Sequence, residues 1–239
     1  MDLPQTALHS GDVLDRNGEL HPFEVHEPTT FLENPVAALE EKTIAIIDEL
    51  IESLPDPKRL KSEERRGIIA RYTAVLEGNF IYWMTAAAIA AKAEKSRPIL
   101  LDNLYEEVRD CHPQMMRKFA IAAKAFPTDR DALAVDRDLT RVRLFLGKLS
   151  PIKSVLMMGF FEGFIQKFMG YLAKLAADQG STEMEYTDVH GVCDIEHTEG
   201  LFKVLAAEIA AAPPAADADL FEGVDLLRTL IEHIIHPEA

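Results

Sequence analysis

The chain has 239 residues, and its 25 Lys plus Arg against 40 Asp plus Glu give a formal net charge of -15. An acidic surface of that kind is repelled by nucleic acid and by anionic lipid, since both are held through a basic face that displaces counterions. Neither nucleic acid nor a membrane is therefore expected as a partner, which leaves a small molecule. At 48% apolar and 27% charged residues, the composition is that of an ordinary globular protein. Cys111 and Cys193 are the only cysteines, too few for a disulfide framework. The start, Met1-Asp2-Leu3-Pro4-Gln5, lacks the basic and apolar regions of a secretory signal, and no apolar run reaches the length of a membrane span. A cytoplasmic protein is the expectation.

Residues 1–34 hold Pro4, Pro22 and Pro28 together with Gly11, Asn17 and Gly18, and read as an irregular N-terminal arm. From 35 to 239 the pattern is helical. Val36, Leu39, Ile44, Ile47 and Ile51 recur at helical spacing until Pro55 and Pro57 stop them. Ser62-Glu63-Glu64 opens a second helix that could extend to about Lys95, with a weak point at Gly78-Asn79. A third starts near Ile99 and should end or kink at Pro113, just after His112. Leu133 to Leu149 forms a fourth, and Ser150-Pro151 starts a fifth that is apolar nearly all round. A sixth runs to Ala211, and residues 218–236 form a seventh. Strand patterning is almost absent, so one all-α, single-domain bundle of seven helices is the expected fold.

Chemistry concentrates first in His190-Gly191-Val192-Cys193-Asp194-Ile195-Glu196-His197. At about 100° per residue, Asp194 lies roughly 40° from His190 and His197 roughly 20° away on the other side, so one narrow helix face carries two imidazoles and a carboxylate. That set suits iron, manganese or zinc, although a wet surface would also tolerate it. Glu162 sits in the apolar run Met157 to Phe164, where an ionised carboxylate needs a metal, a proton, or a cation such as Lys153 or Lys167. Glu107 and His112, on the third helix, lie about 140° apart on an ideal helix and reach one site only if the helix breaks near its end. Together these three carboxylates and three histidines are too many for one metal and suit two.

The arrangement resembles the heme-oxygenase-like di-iron oxidases. The late His-x-x-x-Asp-x-x-His matches at His190, Asp194 and His197, the central glutamate falls on Glu162, and the early Asn-Leu-x-x-Glu matches Asn103 to Glu107. The resemblance covers roughly residues 36 to 236. It implies a seven-helix heme-oxygenase-like fold with Glu107, rather than Glu106, and His112 as early ligands. The interval between those two is shorter than in most members, and Val108-Arg109 replaces a glycine that often follows the acids. By the same resemblance Glu77 is a candidate extra ligand or second acceptor. Two Fe(II) ions, O2 as cosubstrate and an external electron donor are implied, with Glu107, Glu162, His190, Asp194 and His197 as the catalytic set.

Phe80, Trp83, Phe161 and Phe164 are candidate lining for a substrate pocket, and Lys148 or Lys153 candidate partners for a substrate carboxylate. The leading expectation is an oxygenase acting on a small, aromatic amino acid in a biosynthetic pathway, by N-oxidation to a nitrile or by related oxidative cleavage or desaturation. A fatty-acid oxidative decarboxylase of the same fold is one alternative. A metal-free helical binding protein, or a thiaminase-like enzyme with Cys111 or Cys193 as nucleophile, is another. A homodimer is an assembly state that this reading allows.

Overall fold

A computed structural model describes residues 35–237, together with the backbone of Val13–Leu14 and Leu20–His21, which pair antiparallel with Val13 opposite His21. The rest of the expected arm, 1–34, lies outside the described residues. The domain is all-α. Its helices are α1 (Pro35–Glu52), α2 (Ser62–Ala90), α3 (Ser96–Arg109), α4 (His112–Ala122), α5 (Asp129–Leu146), α6 (Pro151–Asp178), α7 (Glu185–Ala211) and α8 (Glu222–Ile235).

There are thus eight α-helices among the described residues rather than the seven expected. The extra one arises at Pro113. Cys111 takes the left-handed conformation (φ 57°), which ends α3 at Arg109, and Pro113 stands in the first turn of α4. A proline there loses nothing, because the first amides of a helix have no carbonyl to bond. The proline therefore starts a helix instead of ending one.

Other boundaries follow local chemistry. Thr128 caps α5, and Asp131 reaches back to it: the Asp131 carboxylate accepts from the Thr128 amide at 2.9 Å and the Thr128 hydroxyl at 2.6 Å. The weak point at Gly78-Asn79 does not interrupt α2, because Asn79 Nδ2 donates to the Val75 carbonyl at 2.7 Å and Asn79 Oδ1 accepts from Arg143. Between α2 and α3 the chain reverses around Glu208 of α7, whose buried carboxylate accepts from the Lys92 and Ala93 amides and, at 2.6 Å, from the Ser96 hydroxyl. That contact fixes where α3 begins.

The apolar α6 is the central helix. It packs along α7 and also against α1, α2 and α8, and every residue from Ser154 to Ile165 is buried. A helix apolar on all sides has this one stable place in a globular bundle. No described helix is long and apolar enough to cross a membrane.

Candidate metal centre

The stripe on α7 faces inward. His190, Asp194 and His197 are 4%, 0% and 9% exposed, so the solvent-facing reading of this motif is set aside. Since α7 lies along α6 and also against α3 and α4, the stripe meets Glu162 from α6 and the end of α3. The left-handed break at Cys111 then resolves the angular mismatch between Glu107 and His112. With α3 ended and α4 begun in a new direction, His112 Nδ1 lies 2.7 Å from Glu107 Oε1, and both side chains are buried.

Two sets of donors result. In the first, Glu107, His112 and His190 each offer an atom within 4.8 Å of the others, with His190 Nε2 at 3.7 Å from Glu107 Oε1. In the second, Cys193, Asp194 and His197 each offer an atom within 4.8 Å of the others, and His197 Nδ1 lies 3.6 Å from Asp194 Oδ1 and 3.8 Å from Glu162 Oε2. Two atoms bound to one ion at about 2.1 Å stand about 3–4 Å apart; the 3.6–3.8 Å separations meet that range, whereas Glu107 and His112, at 2.7 Å, are in direct hydrogen-bond contact. The sets adjoin along α7, where His190 and Asp194 are one turn apart.

The imidazoles are held in defined orientations. His190 Nδ1 sits 3.0 Å from the Tyr186 carbonyl, which accepts its hydrogen and turns Nε2 toward Glu107. His197 Nε2 lies 2.9 Å from Glu106 Oε2, so the carboxylate accepts that hydrogen and Nδ1 is left for Asp194 and Glu162. A carboxylate behind a histidine in this way fixes the ring and raises its basicity as a ligand. Tyr186 is itself anchored, its hydroxyl 2.9 Å from that of Tyr72 and its ring 4.3 Å from that of His190.

Electrostatics point the same way. Burial pushes the Glu107 carboxyl up, but the imidazoles of His112 and His190 outweigh it and bring it down to about 2. Burial, then the charge of Asp194, pushes Glu162 up to about 7. His197 is opposed by burial yet raised to about 11 by Asp194, Glu162 and Glu106, and His190 is likewise raised by Glu107 and Asp194. A proton on His197 thus supplies positive charge beside Asp194 and Glu162. Among the described residues, no Lys or Arg forms an ion pair with Glu107, Glu162 or Asp194. Asp194 Oδ2 and His197 Nδ1 are also buried without a hydrogen-bond partner. Buried polar atoms are normally satisfied, and two unpartnered ones converging from one helix face fit a bound cation.

Other expected residues lie elsewhere. Glu77 pairs with Arg117 on the outer side of α2 and α4. Lys148 and Lys153 both bind Glu222 at the start of α8, at 2.7 and 2.8 Å, and so are not free for a substrate carboxylate. Phe80, Trp83, Phe161 and Phe164 are buried core residues; Trp83 and Phe80 pack on Phe161 at 5.3 and 6.1 Å between centroids. Of these, Phe80 also touches the small cavity beside Glu107, His112 and His190. His233 of α8 lies 2.6 Å from the buried Asp138.

Two residues of the centre were missed. Glu106 orients His197, and Asn103 Nδ2 donates to Glu162 Oε1 at 3.0 Å. Their signal was present in Asn103-Leu104-Tyr105-Glu106-Glu107, where one helical turn puts Asn103 on the face next to both acids. Comparison of the chain with protein-family models, with curated proteins and with solved structures finds no match in any of the three.

Proposed function

We propose that the protein is a non-heme di-iron oxygenase of heme-oxygenase-like type, using O2 and an external electron donor to oxidise a small amino-acid-like substrate. The observation that carries this reading is the pair of adjoining donor sets, one of them two histidines and one carboxylate. That set, with coordination positions left over, is the ligand choice of non-heme Fe(II) oxygenases. Glu107, His112 and His190 would hold one iron, and Glu162, Asp194 and His197 the other. Bound iron would supply the electrons and open positions that O2 reduction needs.

The chain's own residues do the rest. Glu106 and the Tyr186 carbonyl set the imidazole orientations, and Asn103 holds Glu162 in place. Glu162 itself is 1% exposed, so its side of the centre is kept from bulk water. Among the alternatives, a thiaminase-like reaction through Cys193 is disfavoured: burial, Asp194 and Glu162 push its thiol well up, away from the thiolate that attacks. The pairing of Lys148 and Lys153 with Glu222 removes the expected partners of a substrate carboxylate for a fatty acid and an amino acid alike. The aromatic amino acid and its nitrile-forming oxidation remain the leading substrate reading, on the family resemblance.

Rapid mixing of Fe(II)-loaded protein with O2 tests the proposal. A transient absorbing species is expected, its decay hastened by the correct compound in a panel of aromatic amino acids, amines and fatty acids. O2 uptake no faster than that of His190→Ala would overturn it.

A further inference from the structure

Cys193 stands on the stretch of α7 that carries the second donor set, and the proposed reaction leaves it without a role. On a helix of about 100° per residue it lies about 40° from His197, four positions on, so the two side chains share a face. Its Sγ is 3.3 Å from Asp194 Oδ1, the same oxygen that stands 3.6 Å from His197 Nδ1. A sulfur at about 2.3 Å and a nitrogen or oxygen at about 2.1 Å from one tetrahedral ion are about 3.5 Å apart. The Cys193, Asp194 and His197 atoms, all within 4.8 Å of one another, suit that arrangement.

Unmet polar atoms point to the same ion. Asp194 is fully buried with Oδ2 unpartnered, and His197 Nδ1, which faces Asp194 and Glu162, is buried without a hydrogen-bond partner. The contact of the thiol with Asp194 Oδ1 satisfies neither atom. A cleft of about 420 Å³ between α3 and α7 is lined by both Cys193 and His197, which gives an ion a way in.

We infer that Cys193 is a thiolate ligand of the second metal, completing with Asp194, His197 and Glu162 a four-donor site suited to a thiophilic divalent ion such as Zn(II), Co(II) or Fe(II). On binding, the S–H bond breaks, its proton leaves to solvent, and a sulfur–metal bond takes its place. The carboxylates that oppose a free thiolate no longer do so once a divalent cation lies between them and the sulfur. This inference rests on the proposed metal centre and makes its two halves unlike. With four protein donors the second site is filled, so the positions open to a small ligand belong to the Glu107, His112 and His190 set.

Anaerobic Co(II) titration of the reduced, chelator-treated full chain, followed by absorption, tests this. About two cobalt ions per chain are expected, with a near-ultraviolet sulfur-to-cobalt charge-transfer band rising with one of them. Cys193→Ser should abolish the band and weaken that ion at least about tenfold, a loss that even an outer partner of a metal ligand commonly causes. Cys111→Ser should keep the band, which assigns it to Cys193 without altering α7, and Zn(II) should displace it more readily than Mn(II). His112→Ala should bind about one cobalt and keep the band. A parent without the band, a band lost in Cys111→Ser, or one that survives in Cys193→Ser overturns the inference. Two cobalt ions bound with no sulfur band sink Cys193 alone; a single ion carrying the band in the parent sinks the two-metal centre alone.

Discussion

Replacing Glu162 with glutamine should stabilise the iron-free protein and weaken the iron-loaded one. Glu162 is 1% exposed and accepts from Asn103 at 3.0 Å, a bond that the glutamine carbonyl preserves. Burial and the charge of Asp194 raise its carboxyl from 4.5 to about 7. At about 1.4 kcal/mol per unit, ionising this group in the folded chain costs about 3 kcal/mol. A carboxyl whose folded value is raised contributes stability that is fully present below about 4.5 and is lost as the pH climbs through about 7. Glutamine cannot ionise and escapes that loss. In chelator-treated protein, Glu162→Gln and the parent should therefore unfold alike near pH 4.5, whereas at pH 8 the variant should be more stable by about 3 kcal/mol. For a chain of this size that is about 6–12 °C in Tm by scanning calorimetry. Added Fe(II) should reverse the order, because the parent gains a bound cation that the variant holds less well. A variant less stable than the parent at pH 8 without iron would refute the reasoning, since it would mean that the carboxylate is already well compensated.

Three further outcomes follow from the fold. Burial raises the Asp131 carboxyl, but Arg66 at 3.0 Å and the Thr128 cap hold it below the usual range, so its stabilisation is present above the unfolded value and fades as acid titrates it; Asp131→Asn should cost about 1–2 kcal/mol at pH 7 and flatten the acid limb of the stability profile. Glu208→Ala strands the Lys92 and Ala93 amides and the Ser96 hydroxyl, and should cost about 3 kcal/mol in denaturant unfolding while also lowering iron affinity, because α3 carries Glu106 and Glu107. Gly223→Ala places a Cβ 2.6 Å from the Phe145 ring and should cost about 1–3 kcal/mol, whereas Gly163→Ala crowds the terminal methyl of Ile47 at 2.9 Å, with Thr198 at an ordinary 3.6 Å, and should cost less than about 1 kcal/mol.

The parts of the centre that depend on one helix face were legible in the sequence. His190, Asp194 and His197 follow the helical period, and Glu162 stood out because its neighbours are all apolar or glycine. A break near the end of α3 that lets Glu107 and His112 meet was anticipated, but its place and form were not legible, since it turns on a left-handed Cys111, and cysteine carries no signal for that conformation as glycine or asparagine would. The same residue hid the eighth helix. Glu106 was passed over in favour of Glu107 because adjacent acids on one helix are told apart only by what packs opposite them. Lys148 and Lys153 looked free because their partner, Glu222, comes from a helix about seventy residues away in sequence.

The most direct test of the central claim is metal content after anaerobic Fe(II) loading and desalting. Close to two iron atoms per chain are expected in the parent, with fewer than one in both Glu162→Ala and His190→Ala. Recovery of no iron from correctly folded parent protein, or equal iron in all three, would contradict it.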